Sequence, residues 1–109
     1  MKSLNKIALV TYTNSNCHDI LRIHSGQIEK FADKFNSYVL SNETPSSDCL
    51  NKDKHSVILY NNEDPYYKQW TNCLESISED YIIYLQEDFL LFDQVDYEEI
   101  SRCLEFLEN

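Results

Sequence analysis

The chain of 109 residues contains a single glycine, Gly26, and only two prolines. One glycine cannot build the Gly-rich turn of a dinucleotide-binding fingerprint or the phosphate cradle of a P-loop, because both need several. A phosphate bound by this chain must be held mainly by another device. Cations are scarce as well: nine Lys and Arg stand against nineteen Asp and Glu, a formal net charge of -10. That balance argues against nonspecific binding to nucleic acid or to an anionic membrane, which needs a basic surface. It also makes an anionic ligand hard to hold without a metal cation. No apolar run is long enough to cross a bilayer as a helix. The first six residues lead straight into a strand pattern and lack the apolar region of a signal peptide, so a soluble, cytoplasmic protein is expected. Cys17, Cys49, Cys73 and Cys103 are widely spaced, with no Cys-x-x-Cys. Cys73 and Cys103 fall on the apolar sides of predicted helices, which predicts buried free thiols rather than a disulfide or zinc site. There is no Gly-x-Ser-x-Gly elbow and no stripe of basic and aromatic residues suited to RNA.

The richest stretch is Tyr81-Ile-Ile-Tyr-Leu-Gln-Glu-Asp-Phe-Leu-Leu-Phe-Asp93. Tyr81 to Leu85 are apolar strand formers and predict a strand buried on both faces, as in a parallel sheet. The run drives directly into Glu87 and Asp88. Carboxylates beside a core are costly unless compensated. In open α/β sheets the carboxyl ends of the strands are where ligands bind. A divalent cation held by carboxylate oxygens is the simplest compensation, and the plain alternative is a strand end whose charges reach water.

The rest of the chain alternates strand and helix patterns. Lys6 to Tyr12 reads as a largely buried first strand, followed by a turn, Thr13 to Asn16, rich in helix-capping side chains. A helix is predicted over His18 to Phe35, with Ile20, His24, Ile28, Phe31 and Phe35 on its inner face. Ser37 to Leu40 is a short strand, Ser41 to Lys54 a polar loop with room for a short helical turn, and His55 to Tyr60 a third strand. Pro65 suits the first position of a second helix, whose inner side is Tyr66, Trp70, Cys73, Leu74 and Ile77. Tyr81 to Gln86 is the fourth strand. Asp96 with Glu99 resembles a capping box and opens a last helix with Tyr97, Ile100, Leu104 and Leu107 inward. The order predicts one Rossmann-like, three-layer α/β/α domain over residues 1–109, with a mainly parallel four-stranded sheet. The carboxyl ends of its strands then share one edge.

Three segments carry a family resemblance: Thr11-Tyr-Thr-Asn-Ser15, Asn62-Glu-Asp-Pro-Tyr-Tyr-Lys-Gln-Trp70 and Tyr81-Ile-Ile-Tyr-Leu-Gln-Glu-Asp-Phe89. Together they resemble the amino-terminal, sugar-nucleotide-binding half of a GT-A-fold glycosyltransferase. The resemblance covers nearly the whole chain but about half of such an enzyme. It implies a nucleotide-diphospho-sugar donor and an acidic Asp-x-Asp-type motif after the fourth strand, holding Mn2+ or Mg2+ against the diphosphate. Here Glu87-Asp88 stands in that place and Asp-x-Asp itself is absent. Asp88 is the preferred metal ligand and Glu87 the second, with Glu87 also a candidate for contacting the sugar. By resemblance the loop carrying Thr11, Thr13 and Asn14 meets the nucleoside. The plainer reading is that Asn14, Ser15 or Asn16 caps the helix, and the two roles can fall on different residues. Lys68 lies on the first turn of the second helix, where it is either a phosphate contact or a solvated lysine, and Asp64 is either a ligand contact or a cap before Pro65. Trp70 reads as core rather than as a sugar platform, and neither His18 nor His24 has a partner that would make it catalytic.

The residues that bind acceptor and supply a catalytic base in that family lie beyond the half this chain resembles, so glycosyl transfer by the chain alone is expected to be weak or absent. A homo-oligomer is expected from the apolar surface that a shortened sheet exposes. A noncatalytic α/β interaction or structural module is the alternative function, and an acidic phosphoacceptor domain a more distant one.

Overall fold

The apolar segments of the sequence pair into one sheet. The computed structural model describes residues 2–109. Strands β1 (Ile7–Tyr12), β2 (Asn36–Ser41), β3 (His55–Leu59) and β4 (Tyr81–Gln86) lie in the order β3-β2-β1-β4. Every neighbouring pair is parallel. Helices α1 (His18–Phe31), α2 (Tyr66–Leu74) and α3 (Tyr97–Glu108) cover it, which makes the chain a Rossmann-like α/β/α domain.

Side chains of a strand alternate between its faces, and β1 shows how this builds two cores. Ile7 and Leu9 pack with Ile28 of α1, Tyr97 and Leu104 of α3, and Phe35. Ala8 and Val10 turn the other way, onto Cys73 and Trp70 of α2 with Leu40 and Tyr60. A smaller cluster of Leu21, Val39 and Leu50 extends the α1 face under the connection between β2 and β3. That connection, residues 42–54, contains turns and no helix.

Several boundaries and faces differ from expectation. Helix α1 stops at Phe31, four residues before Phe35, with Ala32 leaving helical geometry at φ -141°. The Phe31 carbonyl, orphaned at a helix end, accepts a bond from the Val95 N–H at 2.9 Å. Phe35 still enters the core, but from the segment leading into β2. The inner face of α1 is Leu21, His24, Ser25 and Ile28, while Ile20 is exposed. Pro65 occupies the capping position, one residue before α2 begins. On α2 the buried residues are Gln69 and Cys73; Tyr66 and Leu74 are exposed.

Strand β4 is an edge strand, so its burial is partial and Ile82 is 40 % exposed. On α3, Tyr97 and Leu104 are buried, but Leu107 is exposed. All four cysteines are free; Cys73 is buried as expected and Cys103 is exposed. The Asp96 side chain does cap α3, accepting from the Glu99 N–H at 3.1 Å.

These assignments predict contrasting effects on stability. Leu40→Ala, at a site 1 % exposed, is expected to cost about 2–5 kcal/mol. Leu107→Ala is expected to change stability by less than about 0.5 kcal/mol, as exposed substitutions do. Urea denaturation of the two variants checks both, and a large loss in Leu107→Ala would contradict the placement of that face of α3.

Candidate functional site

Because the strands are parallel, their carboxyl ends converge on one edge, and four loops meet there. The loop after β1 is tied to its neighbours by side-chain amides and hydroxyls. Asn14 donates from Nδ2 to the Tyr60 hydroxyl at 3.2 Å and to Asn62 Oδ1 at 3.1 Å. Its Oδ1 accepts from the Asn16 N–H, capping the short 3-10 turn Ser15–Cys17. Tyr60, buried just after β3, donates to the Thr13 carbonyl at 2.6 Å. From the end of β2, Asn42 Oδ1 accepts the Ser15 N–H at 2.7 Å, and Ser41 Oγ lies 2.9 Å from His18 Nε2.

The acidic pair stands on the fourth loop. Strand β4 ends at Gln86, and the Phe89 N–H donates to the Gln86 carbonyl at 3.0 Å. Glu87 and Asp88 are therefore the central residues of a tight turn, not a continuation of the strand. Glu87 is half-buried and Asp88 exposed. The nearby Glu87 carboxylate, with the thiol's partial burial, pushes the Cys17 pKa up. The acidic turn thus lies against the start of α1.

A buried histidine holds this turn in place. His24 Nδ1 is 2.7 Å from the Phe89 carbonyl, and His24 Nε2 is 3.0 Å from Thr11 Oγ1. A carbonyl only accepts, so Nδ1 carries the proton. In the neutral ring Nε2 then accepts from the Thr11 hydroxyl. Burial holds the imidazole below its ordinary range, against the opposing pull of the Phe89 carbonyl, Glu87 and Asp88.

Beside the acidic turn, on the α2 side, stands a wall of aromatic rings. Tyr12 stacks on Tyr60 with centroids 5.1 Å apart, Tyr66 meets Tyr12 edge-on at 5.2 Å, and Trp70 meets Tyr84 edge-on at 4.9 Å. The Tyr12 hydroxyl donates to Gln69 Oε1 at 2.7 Å. Burial, with the neighbouring Tyr66 hydroxyl, pushes the Tyr84 phenol up to about 12, and burial with Tyr60 raises Tyr12 further. Both phenols are neutral near pH 7. Tyr66 and Tyr67 remain largely open to solvent.

Of the residues expected to contact ligand, Asn14, Asp64, Lys68, Glu87 and Asp88 all belong to loops or helix starts of this edge. Thr11 and Thr13 lie beneath its surface, both fully buried. Lys68 Nζ is 3.9 Å from the Asp64 carboxylate across one turn of α2, an exposed pair of small energetic weight. The sequence reading missed the aromatic wall and the His24 clamp. Tyrosines at Tyr12, Tyr60 and Tyr84, each at or near a strand's carboxyl end, were the available signal for the wall.

Among the described residues no three His, Cys, Asp or Glu side chains gather as a metal site. Mg2+ commonly takes only one or two protein carboxylates and completes its shell with phosphate oxygens and water. Glu87 and Asp88, consecutive in the acidic turn, are two carboxylates this edge offers to such a donor set. Open cavities of 170 and 220 Å3 lie elsewhere, between α1 and the amino ends of β2 and β3, and between β4 and α3. No protein-family model matches the sequence, and a search of curated proteins found no match.

The His24 clamp predicts a pH dependence with a definite sign. Its folded pKa is lowered, so the unfolded chain binds the proton more readily. The neutral ring's contribution is complete above the unfolded value of about 6.5 and is lost as pH falls toward the lower folded value. His24→Asn, which keeps an N–H donor for the Phe89 carbonyl, is expected to flatten the fall in stability between roughly pH 7 and 5 relative to wild type. Denaturation curves across that range check this; parallel slopes in the two proteins would show that His24 does not titrate on unfolding.

Proposed function

We propose that this chain is a glycosyltransferase-like domain that binds a nucleotide-diphospho-sugar, with a divalent metal, at the carboxyl edge of its sheet. One observation carries the reading: an acidic turn, Glu87-Asp88, is locked at that edge by the chain Phe89 carbonyl, His24, Thr11. The tether holds both carboxylates at the edge where open α/β sheets bind ligands. In this reading Asp88, with Glu87 second, holds Mn2+ or Mg2+. When bound, the ion supplies the positive charge that brings a diphosphate to a protein of net charge -10.

The residues of this edge have separate tasks. Glu87 and Asp88 present acceptor oxygens, Lys68 offers a cation at the start of α2, and Tyr66 and Tyr67 offer exposed ring faces for a base or sugar. Asn14 and Tyr60 fix the loop they stand on rather than reaching outward. The described edge presents no pair of groups placed to activate an acceptor hydroxyl, so the reading is one of donor binding.

A second reading, a noncatalytic interaction module, is favoured by the same Asn14. Its two amide protons and its oxygen all have partners within the fold, which leaves little of it for a ligand.

Titration calorimetry with UDP- and GDP-linked sugars, with and without Mn2+, separates the two. Saturable binding that requires Mn2+ is expected, weakened roughly tenfold or more by Asp88→Asn with the fold intact. A folded sample that binds none of these sugars with Mn2+ present sinks the first reading in favour of the second.

A further inference from the structure

The opposite edge of the sheet carries a separate set of paired groups. The β2–β3 register sets Ser37 beside His55, and Glu29 of α1 lies over them. Ser37 Oγ is 2.7 Å from His55 Nδ1, and His55 Nε2 is 3.1 Å from Glu29 Oε2. The ionised Glu29 carboxylate can only accept, so Nε2 carries the ring proton. In the neutral imidazole Nδ1 is then an acceptor, and the Ser37 hydroxyl must be its donor. Carboxylate, imidazole and hydroxyl are thus ordered so that a proton can leave the serine oxygen. His55 is 3 % exposed and Ser37 7 %.

A buried histidine needs partners, and this arrangement satisfies that need. It also does something a purely internal tie does not, because it opens onto space. Ser37, His55 and Glu29 line a cavity of about 170 Å3 with an apolar side of Ile28, Ala32 and Phe35. Lys54 lines the same cavity and is its cationic group, with the Asp33 carboxylate also on its wall. Ser37, His55 and Lys54 also border a wider groove of about 360 Å3, which gives the cavity an approach from solvent.

We propose that Ser37 is a nucleophile activated by His55, that Glu29 is a positioning residue fixing the ring tautomer, and that the cavity takes a small acyl ester. A weak hydroxyl nucleophile becomes effective when an adjacent base takes its proton and a third group orients that base. Ser37 Oγ forms a bond to the acyl carbon as its proton passes to His55 Nδ1, and the carbonyl electron pair moves onto oxygen. Lys54 supplies the positive charge that this oxygen needs. On collapse the ester C–O bond breaks, and the leaving alkoxide takes the proton from His55. Water, deprotonated by the same nitrogen, then attacks the acyl-serine; the bond from Ser37 Oγ to the acyl carbon breaks, Oγ takes the proton back from His55, and the carboxylic acid leaves. The acyl chain lies against Ile28, Ala32 and Phe35.

The test uses the purified full chain with a fluorophosphonate probe, followed by intact mass and peptide mapping, and p-nitrophenyl acetate as substrate. A single adduct on Ser37 is expected, absent in Ser37→Ala. Glu29→Gln is expected to slow labelling and ester hydrolysis at least tenfold, with an unchanged denaturation midpoint, and Glu29→Asp to recover part of the loss. An unlabelled Ser37 in the folded wild-type chain overturns the proposal, as does ester hydrolysis that is unchanged in Ser37→Ala. The three side chains would then be a tie between α1, β2 and β3.

Discussion

Strand β1 bonds in parallel to β2 on one side and to β4 on the other, so its six residues reach water only near their ends. A parallel sheet must be covered on both faces, and β1 dictates how. Its odd-numbered residues demand a layer that α1 and α3 supply; its even-numbered ones demand the layer that α2 supplies. The same pairing directs all strand ends one way. Loops at positions 14, 42, 62 and 88 become neighbours because β1 runs parallel to β2 and β4, and β2 to β3.

The α1 face changes character along β1. At the amino end Ile7 and Leu9 lie in an apolar cluster. At the carboxyl end Thr11, Thr13, His24 and Ser41 are all fully buried and polar. Burying four such groups is tolerable because Thr11 and Ser41 bond to histidines, His24 bonds to a backbone carbonyl, and the Thr13 hydroxyl donates to the Asn14 carbonyl. An apolar filling would be simpler to pack. The polar one gives the loop after β4 a fixed address, since a carbonyl partner specifies position in a way that methyl contacts do not.

Local pattern made much of this legible. Tyr81–Gln86 is a strand as its composition demands, and Asp96 caps α3. Pattern cannot say which strand lies at an edge, so Tyr81 to Leu85 read as doubly buried although only β1 flanks it. For the same reason Leu107 and Cys103 looked inward: a helical stripe shows a face, not how wide its neighbour is. The acidic turn was visible as two adjacent letters. The clamp that fixes it joins residues 24 and 89, and the pair of Ser37 with His55 rests on strand register. Neither separation leaves a periodic trace in the sequence.

The chain has one tryptophan, and the fold places it in the aromatic wall. Trp70 lies edge-on to Tyr84 and nearly parallel to Tyr12, with its indole N–H buried and without a partner among the described residues. Light absorbed by these tyrosines can pass to a single indole a few ångströms away. The emission of the whole molecule therefore comes chiefly from one end of the sheet. Any event that shifts Tyr12, Tyr66 or Tyr84 will alter its colour or yield, while changes near Glu29 and His55 will leave it dark to them. The protein carries its own optical probe, and that probe sees one edge and not the other.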